Sequence, residues 1–151
     1  MGCDIHSFVE VKESGKWELV DDWIDTRSYG WFGFLANVRN YSHVPSISNP
    51  KGLPQDISEH CAFEWENEYD GHSCSYLTLK ELLDFNYDQE FEDRRVTRQT
   101  GNFIDGAAIA EPGEGRTTTL REFLGTLLDH IQKLKEHGEP ENVRVVFWFD
   151  N

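Results

Sequence analysis

Basic residues are scarce in this chain of 151 residues, which has 14 lysines and arginines against 28 aspartates and glutamates. The resulting net charge of −14 repels phosphate backbones, so we predict that the protein does not bind DNA or RNA in general. The acidic residues are spread along the chain rather than gathered in a tail. We interpret them either as a solvated surface or as a surface that imitates nucleic acid or docks on a basic protein.

Cysteine is also rare, and long apolar runs are missing. The three cysteines, Cys3, Cys61 and Cys74, are odd in number, and their spacing fits no zinc-binding pattern. No secretory signal precedes them, so we expect a reducing, cytoplasmic setting. No apolar run approaches the roughly 20 residues that a membrane-spanning helix needs, and we predict no contact with a membrane.

Aromatic residues, in contrast, are abundant at 13% of the chain, whereas disordered chains are poor in them. A chain of this length fits one domain and buries roughly two-thirds of its unfolded surface. We therefore predict a single domain over residues 1–151 whose core needs neither a disulfide nor a structural metal.

Two segments at opposite ends of the chain have the patterns of strands. Residues 3–11 alternate, so that Asp4 and His6 share one face, while Ile5, Val9 and Val11 point to the other. A turn then leads to a return strand over 17–20. Residues 142–149 form the most apolar segment and are predicted to be a central strand that is covered on both faces. We predict that the first and last strands lie in one sheet.

Capping-box patterns predict three helices. In each pattern, a residue whose side chain can cap the helix is followed three residues later by Glu. The pairs and their helices are Asp56 with Glu59 for 57–68, Thr78 with Glu81 for 79–85, and Thr119 with Glu122 for 120–137.

The remaining segments are less regular. The aromatic and apolar segment 29–38 is predicted to be a short helix or a buried turn, and 91–99 contains a candidate strand. Segment 39–56 holds three of the five prolines and is predicted to be a long ordered loop or a lid, a feature that is often functional. Together these elements predict the α+β class, with a mainly antiparallel sheet that includes both chain ends and about three helices packed on it.

Four sequence motifs resemble those of a family of small tailed-bacteriophage proteins. The motifs are the opening MGCDIH, FLANVRN, PKGLPQDIS and DGHSCSYLTLKELL, and the resemblance covers roughly residues 1–85. The resemblance implies a phage origin and a setting in the host cytoplasm, but it implies no reaction. Small accessory phage proteins often act against host defences, which makes such a role an expectation by analogy.

Two Asp-x-His triplets, Asp4-Ile5-His6 and Asp70-Gly71-His72, are candidates for chemistry. On a strand, residues two apart share a face, so each triplet would present a carboxylate and an imidazole together. We predict that Asp4, His6, Asp70 and His72 face one polar site, where they act as catalytic residues or as ligands of a divalent metal. The alternative is that all four are hydrogen-bonded structural residues.

Arginines form one dense basic patch, at Arg94, Arg95 and Arg98, and Arg39 with Asn40 adds further donors. Guanidinium groups match the geometry of phosphate and can bind it through two hydrogen bonds. We predict that these five residues bind a phosphorylated ligand. The alternative is that the arginines balance the acidic residues beside them on the surface.

Two functions follow from these patterns. The first is a phage accessory protein that binds, and in its stronger form hydrolyses, a small phosphorylated or nucleotide ligand such as a host-defence signal. The second is an acidic, non-enzymatic interaction module that blocks a host protein. Convergence of the two Asp-x-His triplets in one cleft would favour the first function, and their separation would remove that site.

Overall fold

The computed structural model describes residues 2–100 and 103–151, and it describes side chains outside the range 97–107. The strands are β1 (Asp4–Glu13), β2 (Lys16–Asp22), β3 (Gly71–Thr78), β4 (Glu90–Asp93), β5 (Arg95–Thr100), β6 (Phe103–Ile109), β7 (Arg116–Thr119) and β8 (Val143–Asp150). The helices are α1 (Tyr29–Ala36), α2 (Glu59–Glu66), α3 (Leu79–Asp84), α4 (Leu120–Leu124) and α5 (Leu128–Lys133).

The main sheet has four antiparallel strands in the order β2-β1-β8-β3. The predicted pairing of the first and last strands is confirmed, because β8 pairs along its whole length with β1, from Asp4 opposite Asp150 to Val11 opposite Val143. Two smaller antiparallel pairs, β4 with β7 and β5 with β6, lie between the later helices in sequence. The predicted α+β class, with both chain ends in the sheet, is confirmed.

One face of the main sheet carries the larger core. The alternation of β1 places Ile5, Val9 and Val11 on this face, opposite Phe149, Val145 and Val143 of β8. Helix α1 is almost wholly apolar and covers this face, which explains why nearly all of its side chains are buried.

The other face is covered by α2 and carries a smaller core. Trp148 and Val146 of β8 pack there against Cys61 of α2, and all three are fully buried. β8 is therefore covered on both faces, as its largely apolar sequence predicts.

The capping patterns had mixed outcomes. At α3, Thr78 and Glu81 form the predicted capping box. At α2, the prediction that Asp56 caps the helix is wrong, because Ser58 accepts the capping hydrogen bond and Asp56 pairs with Arg144 instead. Sequence spacing could not separate the two, since Ser and Asp are equally good caps.

The predicted continuous helix over 120–137 is wrong. Thr119 caps α4 as predicted, but Gly125 takes φ 54° and ψ −128°, a conformation that only glycine adopts readily. The segment then continues as a 3₁₀ turn, α5 and a second 3₁₀ turn. None of the helices in the part of the chain that the structure describes has the length and apolar character needed to span a bilayer.

Candidate functional site

Polar ends of three strands meet at one edge of the main sheet. Because β1 and β3 both run antiparallel to β8, their first residues lie beside the last residue of β8. Asp150 faces Asp4 of β1 on one side and Gly71 of β3 on the other. The four residues of the two Asp-x-His triplets lie in or just before these strand ends.

His6, Glu68 and Asp150 form what we call the carboxylate–histidine cluster. His6 Nε2 lies 2.5 Å from Asp150 Oδ2 and 3.5 Å from Glu68 Oε2. One donor atom from each residue lies within 4.8 Å of the other two, so the group could hold a metal ion. The side chains of His6, Asp150 and Glu68 are 36%, 26% and 17% exposed, which leaves the cluster open to solvent on one side.

Glu68 is held in place by the residues around it. The buried indole of Trp148 donates from Nε1 to Glu68 Oε2 at 3.2 Å, and the Glu68 backbone N–H donates to the Trp65 carbonyl at 3.0 Å. Gly71 packs so closely that a Cβ there would lie 2.7 Å from the Trp65 ring and 2.9 Å from Glu68 Cγ. The chain after α2 is thus shaped to bring Glu68 to His6.

Asp4 shares a face with His6, as predicted, but binds an arginine. Arg27 Nε and Nη2 donate to the two carboxylate oxygens of Asp4 at 2.8 and 2.9 Å. These bonds, and then the charge of Arg27, hold the pKa of the Asp4 carboxyl below its ordinary value. Asp4 is therefore ionised and links the sheet edge to the segment before α1.

The structure does not bring His72 to His6. His6 faces Trp148 across the strands and His72 faces Phe149, and consecutive residues of β8 point to opposite faces of the sheet. The ring nitrogens of His72 contact Ser73 Oγ and, at short range, Asn151 Oδ1. His6 and His72 therefore lie in separate surroundings, and the two triplets do not form the common polar site that we expected.

Asp70 is also apart from the cluster. It is exposed, lies just before β3 and has a φ of 61°, a left-handed conformation that aspartate adopts more readily than most residues. The predicted roles of Asp4, His6, Asp70 and His72 as catalytic residues or metal ligands stay predictions.

A cleft of about 580 Å³ lies beside the N-terminus of α1. We call it the arginine–tyrosine cleft, because Arg27, Tyr29 and Arg95 line it together with Ser28, the N-cap of α1. The first N–H groups of a helix have no acceptor within the helix and carry positive partial charge, which favours an anion. The rest of the lining consists of Gly30, Trp31, Ser42, Phe123, Leu124 and Leu127.

The rings of two tyrosines make cation–π contacts with arginines at this cleft. The guanidinium of Arg95 lies 5.5 Å from the centre of the Tyr29 ring and 5.8 Å from that of Tyr41. Arg39 lies 5.7 Å from the Tyr29 ring, on which both cations therefore converge. The hydroxyl of Tyr29 accepts a hydrogen bond from the backbone N–H of Cys3, which ties the cleft to the edge of the main sheet.

Asn40 and Arg94, which were also predicted to bind phosphate, make local hydrogen bonds in the structure. The Asn40 amide group exchanges two hydrogen bonds with the backbone of Val44, both 2.9 Å, and so closes a turn. Arg94 Nε donates to the Ala110 carbonyl at 2.8 Å. Arg98 belongs to β5, but its side chain lies outside the described residues.

Glu68, Asp150, Arg27 and Tyr29 complete these sites and were not predicted from the sequence. Asp150 follows from the strand pairing, because an antiparallel last strand in register with the first places its end beside Asp4. The sequence contains no such signal for Glu68, since its approach to His6 depends on how α2 packs against β8.

The resemblance to tailed-phage proteins rests on the four motifs named above, and it stays a prediction. Residues of three of these motifs lie at the sheet edge or the cleft, namely Cys3, Asp4 and His6 of the first, Arg39 of the second and His72 of the fourth. Comparisons of the chain with known protein families, curated proteins and solved structures found no match.

Proposed function

We propose that this protein is a phage accessory protein that binds a small phosphorylated ligand of the nucleotide type in the arginine–tyrosine cleft. The observation that carries the proposal is the convergence of Arg39 and Arg95 on the Tyr29 ring, beside Arg27 in the lining of the cleft, in a chain whose net charge is −14. A cytoplasmic setting, in the host cell if a phage encodes the chain, belongs to the same proposal and fits its three free cysteines.

The cleft suits a phosphate group in both shape and charge. Its volume of about 580 Å³ falls within the range of about 300–1,000 Å³ that is usual for small-molecule sites. Arg95 is exposed, and its guanidinium can turn toward a phosphate and bind it with two hydrogen bonds. The N-terminal turn of α1 adds backbone donors to the lining.

An aromatic and apolar cavity adjoins the cleft on the far side of Arg95. Tyr41, Ala108 and Ile109 line it with Arg95, and its volume is about 280 Å³. Tyr41 and Ile109 are 37% and 52% exposed, so a flat base could stack on the ring while the phosphate lies against the arginine. This arrangement favours a nucleotide over a simple phosphate ester.

A buried donor at the cleft gives further support. Trp31 lines the cleft and is fully buried, and within the described structure its indole Nε1–H has no hydrogen-bond partner. Such a donor is costly to leave unpaired, so an acceptor that reached it, from water or from a ligand, would gain a hydrogen bond.

Calorimetric titration with ADP, adenosine and inorganic pyrophosphate tests the proposal. We expect ADP to bind most tightly, pyrophosphate less tightly and adenosine least. Arg95→Gln should weaken ADP binding about tenfold or more, since a hydrogen bond to a charged group contributes about 1.5–3 kcal/mol. Arg116→Gln, an exposed arginine of β7 outside the cleft, is the matched control and should leave the affinity within about twofold.

Two results would count against the proposal. One is the lack of any saturable binding of ADP or pyrophosphate to the folded protein. The other is equal affinity in the Arg95→Gln variant and the unaltered chain. The melting temperature of each variant shows whether a lost affinity reflects lost folding.

Hydrolysis of the bound ligand is the stronger form of the proposal, and a divalent metal is the cofactor that it would need. Such an ion would stabilise charge on a phosphoryl group and supply a bound hydroxide. Release of inorganic phosphate from ADP, measured with and without added Mg²⁺ or Mn²⁺, distinguishes a hydrolase from a binding protein.

The interaction-module alternative has a surface of its own. Phe63 on α2 and Tyr69 after it are 62% and 85% exposed, and acidic residues surround them along 59–70. Exposed aromatic rings within an acidic surface suit docking on a basic host protein. If this function is correct, the double variant Phe63→Ala and Tyr69→Ala should lose the host protein that the unaltered chain retains, whereas Arg95→Gln should keep it.

A further inference from the structure

We propose that the carboxylate–histidine cluster of His6, Glu68 and Asp150 is a binding site for one divalent transition-metal ion, with Zn²⁺ or Mn²⁺ as the occupant. The inference deepens the proposed function by locating its cofactor. It rests on its own geometry, so it can be tested with the metal alone and without any phosphorylated ligand.

The donor set matches these ions. One imidazole and two carboxylates are mixed nitrogen and oxygen ligands, a combination that suits Zn²⁺ and Mn²⁺ better than the all-oxygen sites of Ca²⁺. Three protein ligands on a four-coordinate ion leave one position for water or for an oxygen of a bound group. The cluster is open to solvent on one side, which keeps that position accessible.

The distances between donors need only a small adjustment. Ligand atoms on a tetrahedral ion with bonds of about 2.0–2.1 Å lie roughly 3.3 Å apart. The separation between His6 Nε2 and Glu68 Oε2 is 3.5 Å, close to that value. The separation between His6 Nε2 and Asp150 Oδ2 is 2.5 Å, a hydrogen-bond length that must open by nearly 1 Å. Both of these side chains are partly exposed and can rotate to admit the ion.

The charges around the cluster favour a cation. With a neutral imidazole the cluster has two negative charges, which a divalent ion balances. A groove of about 310 Å³ leads along β1 to His6, and its walls include the carboxylates of Asp22, Asp25 and Glu64. The described residues that line this groove include no lysine and no arginine. A cation therefore meets acidic walls as it approaches the site.

A buried residue outside the cluster orients one ligand. Trp148 is fully buried, and its indole N–H donates to Glu68 Oε2, the carboxylate oxygen nearer to the imidazole of His6. Hydrogen bonds of this kind hold a ligand in one orientation and thereby raise metal affinity. Glu68 is consequently presented to His6 before any metal binds.

An ion pair beside the cluster reaches the arginine–tyrosine cleft. Asp150 of the cluster faces Asp4 on the neighbouring strand, and Asp4 is bound by Arg27, which lines the cleft. One ion pair therefore separates the proposed metal from the proposed phosphate position. Because of this arrangement, we infer that the metal acts on the phosphorylated ligand rather than stabilising the fold.

Titration calorimetry with ZnCl₂, and separately with MnCl₂, tests the site in the full chain after metal removal with a chelator and without a histidine tag. We expect one ion per chain. Glu68→Gln and Asp150→Asn should each weaken binding about tenfold or more, because each removes a charged ligand. Glu66→Gln removes the same charge from an exposed position at the end of α2, and it should leave the affinity within about twofold.

The outcomes separate the proposal from its alternatives. No saturable binding of either ion would overturn it and leave the cluster as a set of hydrogen-bonded side chains. Equal weakening by Glu66→Gln would also overturn it, since that result shows only a general effect of acidic charge. If Asp150→Asn fails to fold, Glu68→Gln decides, because its amide oxygen still accepts from Trp148. If neither ion binds, ADP can still bind at Arg95. The failure of the metal site can therefore be distinguished from the failure of the proposed function.

Discussion

Glu10 and Arg144 face each other across β1 and β8 and form a buried ion pair, with Arg144 Nε 2.6 Å from Glu10 Oε1. The two side chains are 0% and 4% exposed. Glu10 also accepts the backbone N–H of Ser58, and Arg144 also binds Asp56 and stacks 4.0 Å from the Trp17 ring. The pair therefore joins the first strand, the last strand and the N-terminus of α2.

Arg144→Met should destabilise the protein by about 3–5 kcal/mol, because it leaves the carboxylate of Glu10 buried without its partner. Urea denaturation followed by circular dichroism measures the change in the free energy of unfolding. Replacing Glu10 with Gln in the same chain should recover part of the loss, since the unpaired charge is then gone. A loss under about 1 kcal/mol in the single variant would show that water solvates the Glu10 carboxylate in place of Arg144.

Much of the fold could be predicted from local patterns. The alternation in residues 3–11 gave the faces of β1 correctly, because a half-buried strand must alternate. Thr78 and Glu81 gave the start of α3, since capping is a local interaction. The continuous helix over 120–137 failed at Gly125, where the chain turns although the apolar pattern continues through it. A periodic pattern indicates which side of a segment is buried, but not whether its backbone is unbroken.

The candidate site could be predicted only in part. The Asp4 and His6 pair was found because residues two apart on a strand share a face. The partner of His6 is Asp150 rather than a residue of the second triplet, because the register of β8 sends His72 to the other face of the sheet. That register comes from pairing between distant segments, which a single sequence does not show.

Trp148→Ala should cost about 3–5 kcal/mol, as expected for truncation of a fully buried aromatic residue. Trp148→Phe should cost less, about 1–3 kcal/mol, since it keeps an apolar ring but leaves Glu68 without its indole donor. Thermal and urea denaturation of the two variants give the comparison. If the alanine variant loses under 1 kcal/mol, Trp148 does not belong to the core.

Gly71→Ala should destabilise the protein by about 1–3 kcal/mol through overpacking. The new methyl group would lie 2.7 Å from the Trp65 ring and 2.9 Å from Glu68 Cγ, closer than atoms can stay. Because Glu68 must shift, the variant should also weaken any metal bound at the carboxylate–histidine cluster. Urea denaturation measures the first effect and calorimetry the second. An unchanged free energy of unfolding would mean that the side chains of Trp65 and Glu68 move aside without destabilising the protein.

The three thiols should differ sharply in reactivity. Cys3 and Cys61 are fully buried, whereas Cys74 is partly exposed. Desolvation raises the pKa of the Cys61 thiol from its ordinary value of 9.0 to about 12, so very little of the reactive thiolate is present at neutral pH. Iodoacetamide should therefore label Cys74 first, and peptide mass spectrometry should detect labelling of Cys61 only after denaturation. Early labelling of Cys61 in the folded protein would contradict the burial.

The raised pKa of the Cys61 thiol also predicts how the stability of the protein changes with pH. Between pH 9 and about pH 12 the folded chain keeps the Cys61 proton while the unfolded chain loses it, so the unfolded state binds fewer protons. The contribution of this thiol to stability is therefore complete below pH 9 and declines as the pH rises above it. Cys3 and Tyr87 also have raised pKa values and act in the same direction, so the comparison with Cys61→Ala is needed. The stability difference between the unaltered chain and this variant should shrink as the pH rises from 9 to 11, and a constant difference would show that Cys61 ionises normally in the fold.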